Sequence, residues 1–235
     1  AISSCFLTGC VNQHPKDSKK SSQGESVETM LEITDPKEKQ AVLNAKAKVK
    51  ALSGNPRIVA TSPAVADICD KLDLDLVGVP KSSVSKIPSR YKKVKKVGLA
   101  MSPDMEIVSS LNPDWILAPS SLETDLKPKF EELKNTEYAF LNLRSVQGMY
   151  RSVQELGEIF GKQQEAEKMT KEFTTFYKSY TKRNKNKKHP KVLVLMGLPG
   201  SYVIATENSY VGSLVKLAGC LLYTSPSPRD RSLSR

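Results

Sequence analysis

The stretch Gly98-Leu99-Ala100-Met101-Ser102-Pro103-Asp104-Met105-Glu106 sets a methionine between a glycine turn and the start of a helix at Ser102-Pro103. A thioether carries no proton, so Met101 can ligate a soft or borderline metal at any physiological pH. Its ordinary alternative use is to fill a gap in an apolar core. The run Ser62-Pro63-Ala64-Val65 offers a second chemistry. It predicts a helix with Ser62 as N-cap and Pro63 at the first position, whose free first-turn N–H groups form an anion site. Because Pro63 has no N–H, Ala64 and Val65 would carry that role.

The third chemistry is covalent. Leu7-Thr8-Gly9-Cys10 matches the bacterial lipobox, in which a thiol preceded by small residues accepts a diacylglyceryl group. On this reading residues 1–9 are the remnant of a signal peptide. Two or more acyl chains on Cys10 would hold the protein on the outer face of a membrane. The other cysteines, Cys5, Cys69 and Cys220, form no CxxC pair, so neither a zinc site nor a disulfide framework is supported. Cys69 falls in the apolar run Val65-Ala66-Asp67-Ile68-Cys69 and reads as core. No Ser-His-Asp set, phosphate-cradling glycine loop or suitably placed carboxylate pair is present, which argues against an enzyme.

These groups need a frame to hold them. The 235 residues contain 39% apolar side chains and no run near the roughly 20 apolar residues of a membrane span. The net charge of +11 comes mostly from lysines scattered among acids, with no nucleic-acid-binding motif, so it reads as a solvated surface. Residues 11–23 are polar and without period, a flexible tether. Asp35-Pro36-Lys37-Glu38 opens a short helix over 35–52, with Val42, Val49 and Leu52 as a weak apolar stripe. Apolar strands at 57–60, 76–79, 115–118 and 138–141 alternate with helices at 62–72, 104–111 and 126–133. Near-continuous apolar strands between helices argue for an α/β lobe on a parallel sheet.

Met149, Val153, Leu156 and Phe160, then Ala166, Met169, Phe173, Phe176 and Tyr180, recur at helical spacing. They predict a long backbone helix region over 146–189, of which 163–182 alone would span about 30 Å. The basic cluster 182–188 reads as its solvated end, favoured by the helix dipole. His189-Pro190 stops the helix, and Lys191-Val192-Leu193-Val194-Leu195-Met196 begins a new buried strand. The implied architecture is a tether with a short helix over 10–54, an α/β lobe over 55–145, a helical spine, and the start of a second lobe over 190–219. So rigid a spine predicts little closure between lobes.

Several motifs carry a resemblance over 56–219: Arg57-Ile58-Val59, Asp70-Lys71-Leu72-Asp73-Leu74, Ser89-Arg90-Tyr91-Lys92, the Met101 loop and the run from His189 to Gly197. Pro199-Gly200-Ser201-Tyr202 and Ser209-Tyr210-Val211-Gly212 extend it. Together they resemble the haem-binding lipoproteins of the iron-regulated surface determinant system (IsdE type) in Gram-positive bacteria. That family implies a two-lobe helical-backbone periplasmic-binding-protein-like fold that delivers haem to the permease and ATPase of an ABC importer. Cell-wall haem-relay proteins would be further partners.

By resemblance, Met101 matches the axial methionine ligand of haem iron, paired in the family with a histidine from the second lobe; Met/His is a known haem pairing. That histidine has no counterpart here: His14 lies in the tether and His189 at a helix–strand junction. Residues 220–235 depart from the family and read as a non-native tail, leaving the second lobe truncated. A half-cleft of this kind would bind haem weakly. For the propionates, the Ser62 helix start and the Ser82-Ser83 turn are candidates, and Ser83 stands where relatives have an aromatic. Ser120, Ser121, Tyr202 and Tyr210 should face the cleft. Glu106 matches an acidic residue that docks to the permease. A siderophore or corrinoid in the same fold is the alternative ligand.

Overall fold

The computed structural model describes residues 27–222. The segments expected to be a signal-peptide remnant (1–9), a lipidated Cys10 and a tether (11–23), and residues 223–235 of the expected tail, lie outside the described residues.

The chain opens with α1 (Val27–Leu31) and α2 (Pro36–Lys50). It continues through β1 (Ile58–Ala60), α3 (Pro63–Lys71), β2 (Gly78–Val79), β3 (Lys95–Lys96), β4 (Gly98–Leu99), β5 (Ser102–Pro103), α4 (Met105–Ser110), β6 (Trp115–Pro119), α5 (Glu123–Glu131) and β7 (Glu137–Leu141). Two helices follow, α6 (Val146–Phe160) and α7 (Gln163–Asn184). Last come β8 (Lys191–Val192), β9 (Leu195–Leu198), β10 (Ser201–Ile204), α8 (Tyr210–Leu217) and β11 (Leu221–Leu222).

Five strands form one parallel sheet in the order β3-β2-β1-β6-β7, with Val59 opposite Ile116 and Ile116 opposite Tyr138. Alternate side chains of β1 and β6 feed two cores. Ile58, Ala60, Trp115 and Leu117 pack with Val65 and Cys69 of α3 and with Val153 and Leu156 of α6. Val59, Ile116 and Ala118 pack with Val108 of α4 and with Leu126 and Phe130 of α5. Burial on both faces is why these strands are apolar throughout. Trp115, 1% exposed, meets Phe160 edge-on with ring centroids 5.6 Å apart.

Five local readings change. The run over 191–196 is not one buried strand: β8 ends at Val192, β9 begins at Leu195, and Leu193, Leu195 and Met196 are exposed. Ser102-Pro103 does not open a helix: it pairs antiparallel with Gly98-Leu99, and Asp104 caps α4 by accepting from Ile107 N at 3.1 Å. The pyrrolidine of Pro103 holds Ser102 in the extended region. Rather than covering 126–133, α5 begins at Glu123, where Glu123 and Asp125 suit the positive end of the helix dipole. The region 146–189 is two helices, because Gly161 takes a left-handed conformation (φ 71°) that ends α6. Among the apolar stripe of α7, Phe176 is exposed while Thr174 is buried. Lys95-Lys96, unread as a strand, forms the sheet edge, where lysines discourage further pairing.

The short helix finds its place as well. Asp35 caps α2 as read, accepting from Lys37 N at 2.8 Å, and Val42 and Ala45 enter the first core against α6. Arg90 braces the side of this layer, its two Nη atoms 2.8 and 2.9 Å from Asp73 and Asp75. Lys162 joins Asp73 at 3.0 Å, tying the α6–α7 junction to the loop after α3.

Candidate functional site at the carboxyl edge of the parallel sheet

In an open parallel sheet the helices after neighbouring strands lie on opposite faces where the strand order reverses, and a crevice opens outside the carboxyl ends there. The order β3-β2-β1-β6-β7 reverses between β1 and β6. The chain leaving β1 reaches Ser62, and the chain leaving β6 reaches Ser120. Leaving β2 it reaches Ser82 and Ser83, and leaving β3 it enters the β4–β5 hairpin. Topology therefore gathers five of the predicted residues, Ser62, Ser82, Ser83, Met101 and Ser120, along one rim.

Met101 occupies the turn of that hairpin and is 74% exposed. A structural methionine would be covered; this thioether is presented to solvent. Its turn is held at the base. Gly98 adopts φ 95°, and Asp104 N donates to Val97 O at 2.7 Å. A Cβ at position 98 would stand 2.9 Å from Asp104 N, so glycine is required by conformation and by space. Lys81 N donates to Gly98 O at 2.7 Å, fastening the serine loop beside the hairpin.

The Ser62 cap forms as read, but its hydroxyl accepts from Val65 N at 3.3 Å. This occupies one of the two donors assigned to an anion and leaves Ala64, which is exposed, as the first-turn N–H outside the cap. Pro63 is half-buried and the Val65 side chain lies in the core. In the next loop Ser82 Oγ accepts from Ser85 N at 3.0 Å. That closed turn presents Ser83 and projects Val84, 93% exposed, into solvent. Ser120 is half-buried and Ser121 exposed.

The other predicted residues divide. Val146 N donates to Ser213 Oγ at 3.2 Å, which docks the first turn of α8 on the first turn of α6. Tyr210 opens α8 and comes near Tyr150 of α6; burial, then Tyr210, raises the Tyr150 phenol. Tyr202 projects from β10, 75% exposed, with no described hydrogen bond or ring contact to the rim residues. Glu106 is exposed on the first turn of α4, just past the hairpin. His189 Nδ1–H donates to Gly219 O at 2.5 Å, a structural contact between the chain entering β8 and the end of α8.

Two cations of the rim escaped the sequence reading. Lys81 follows β2, and Arg144 follows β7, where Asn142 Oδ1 accepts from Arg144 N at 3.2 Å. Both are exposed. Their signal lay in position alone, as the first charged residues after a buried strand.

A profile of the periplasmic binding proteins matches residues 58–224. The chain belongs to the periplasmic binding protein family. It is 41% identical over 168 residues to the high-affinity heme uptake system protein IsdE of Staphylococcus aureus strain Newman, across 71% of this chain and 57% of that protein. It thus spans just over half the length of the curated relatives it matches. Among solved structures, an ABC transporter substrate-binding protein from Listeria monocytogenes EGD-e superposes with a TM-score of 0.68 at 44% identity, over 74% of this chain and 67% of that one. Staphylococcus aureus IsdE complexed with heme superposes equally well, TM-score 0.68 at 37% identity, over the same shares.

Proposed function

We propose that this protein binds haem (iron protoporphyrin IX) and delivers it to the permease and ATPase of an ABC importer, binding its ligand rather than transforming it. The observation that carries this reading is the solvent-facing thioether of Met101, on a braced hairpin beside the crevice between β1 and β6. Similarity to a heme uptake protein and to its heme complex supports it.

Met101 would supply a thioether sulfur to the iron, a soft donor available at any pH. The propionates would meet Ala64 N–H at the α3 start, the donor that the Ser62 cap leaves free, and the Ser82-Ser83 turn. Lys81 and Arg144 add positive charge along the same rim. Ser120, Tyr202 and Tyr210 would border the ligand. Cys10, once lipidated, would hold the protein on the outer face of the cell membrane of a Gram-positive bacterium, where cell-wall haem-relay proteins could reach it. Glu106 would dock to the permease.

A ferric siderophore or corrinoid is the second reading, favoured by the exposed cations Lys81 and Arg144, which suit any anionic ligand. Titration with haemin, a ferric siderophore and cobalamin, followed by ligand absorbance and equilibrium dialysis, separates them. Haem binding at least tenfold tighter than either competitor is the expected result. Preference for the siderophore or the corrinoid would overturn it.

A further inference from the structure

Two of the motifs that carry the family resemblance have no place on the rim, yet they grip one another. Asp70-Lys71-Leu72-Asp73-Leu74 runs off the end of α3. Ser89-Arg90-Tyr91-Lys92 lies in residues 80–94, the connection from β2 to β3 that also carries Ser82 and Ser83. Its Ser89–Tyr91 part is a short 3-10 turn. From that turn Arg90 Nη1 donates to Asp73 Oδ1 at 2.8 Å and Nη2 donates to Asp75 Oδ1 at 2.9 Å. The guanidinium carbon stands 5.3 Å from the ring centre of Tyr91, which is 2% exposed and donates to Leu74 O at 2.5 Å. A planar fork held by two carboxylates and an aromatic face is fixed in direction as well as in place.

Asp73 shows what the grip is kept for. It takes φ 52°, in the left-handed region, directly after the α3 cap Leu72. Glycine ordinarily serves at such a helix end, because it adopts this conformation without strain. The aspartate here has both oxygens engaged: Oδ1 accepts from Arg90, and Oδ2 accepts from Lys162 Nζ at 3.0 Å. Lys162 first, then Arg90, hold its carboxyl below the ordinary carboxylate range. Lys162 stands between α6 and α7, so one carboxylate joins the connection from β2 to β3 to the start of the long helix.

We propose that Arg90 is a positioning residue for the ligand: its grip on Asp73 and Asp75 directs the arm that carries Ser82 and Ser83, and so sets affinity at the rim without touching the ligand. This rests on the rim being the binding site. The arm needs such a guide. Ile87, Tyr91 and Val94 pack on the first core, and Lys81 N donates to Gly98 O at 2.7 Å. Between Lys81 and Ile87 the described residues add only the bond from Ser85 N to Ser82 Oγ, at 3.0 Å. Apolar packing holds the base of the arm to the body, while the fork three residues past Ile87 sets the angle at which it leaves. Ion pairs this exposed contribute little to global stability, so losing them should move the arm and the affinity far more than the Tm.

Trypsin digestion and ligand titration of the full chain test this with Arg90→Gln, which removes the charged fork. Lys86 is exposed on the arm, and cleavage after it should quicken at least tenfold, with cleavage after Lys168 of α7 within twofold of wild type. For whichever of haemin, a ferric siderophore or cobalamin the wild type binds, affinity should fall at least tenfold while the absorbance band of the bound ligand stays in place. Arg90→Lys, which keeps the charge without the fork, should fall between the two. Asp75→Asn, at a side chain 84% exposed, should move both readouts in the same direction should Arg90→Gln not fold. Cleavage after Lys86 and affinity both unchanged would overturn the proposal, as would faster cleavage there with unchanged affinity. Equal quickening after Lys168 would mean general loosening and overturn it too. A wild type that binds another of the three in place of haemin overturns the haem reading alone; one that binds none overturns both.

Discussion

At the scale of single residues, chemistry follows from what covers each side chain. Met101 and Cys69 both carry sulfur, yet one stands open on a turn and the other is fully enclosed where α3 packs on the sheet. Burial pushes the Cys69 thiol up to about 12, far from the thiolate that reacts. Iodoacetamide should therefore leave Cys69 unmodified in the native protein and label it fully in denaturant, whereas Cys220, half-exposed, reacts natively; peptide mass spectrometry reads both. Native labelling of Cys69 would show that α3 is not seated on the sheet. Sequence made Met101, the Ser62 cap and the core role of Cys69 legible, because each depends on neighbours within a few residues. It made Ser62 the cap and gave the Val65 N–H to an anion. Only coordinates reveal that the cap hydroxyl takes that donor, as caps generally do.

At the scale of elements, the buried strands were plain because both of their faces meet apolar helices. The edge strand Lys95-Lys96 was hidden because its two lysines carry no apolar signal. The β4–β5 hairpin was mistaken for a helix start, since Ser-Pro serves both and the deciding contact, Gly98 with Pro103, spans five positions. Gly98→Ala should cost about 1–3 kcal/mol from its left-handed backbone and the approach to Asp104 N. Calorimetry should then show a fall in Tm of roughly 2–4 °C per kcal/mol, together with weaker ligand binding as the Met101 turn shifts. Unchanged Tm would mean that the turn relaxes freely. Phe130 stacks on Phe140 at 5.8 Å in the second core, and Phe130→Ala should cost about 3–5 kcal/mol in urea unfolding. A loss below about 1 kcal/mol would argue that α5 does not seal that core.

At the scale of the whole molecule, strand order does what no motif could: it collects residues 62, 82, 101 and 120 from four separate loops at one rim. Helix α7, 22 residues and about 33 Å long at 1.5 Å per residue, runs on from the back of this layer to the unit formed by β8–β11 and α8. Tyr180 of α7 donates to Ala218 O at 2.8 Å, a fixed link to that unit. We expect small-angle scattering to show no resolvable change in radius of gyration on adding haem; a wide hinge motion would contradict the rigid spine. The account as a whole turns on Met101, and the most direct measurement is a haemin titration of wild type and Met101→Ala by Soret absorbance. A wild-type spectrum that changes with the substitution, and an affinity at least tenfold lower, about 1.4 kcal/mol, is the predicted result. An unchanged Soret band with unchanged affinity would remove the thioether from the site and contradict the central claim.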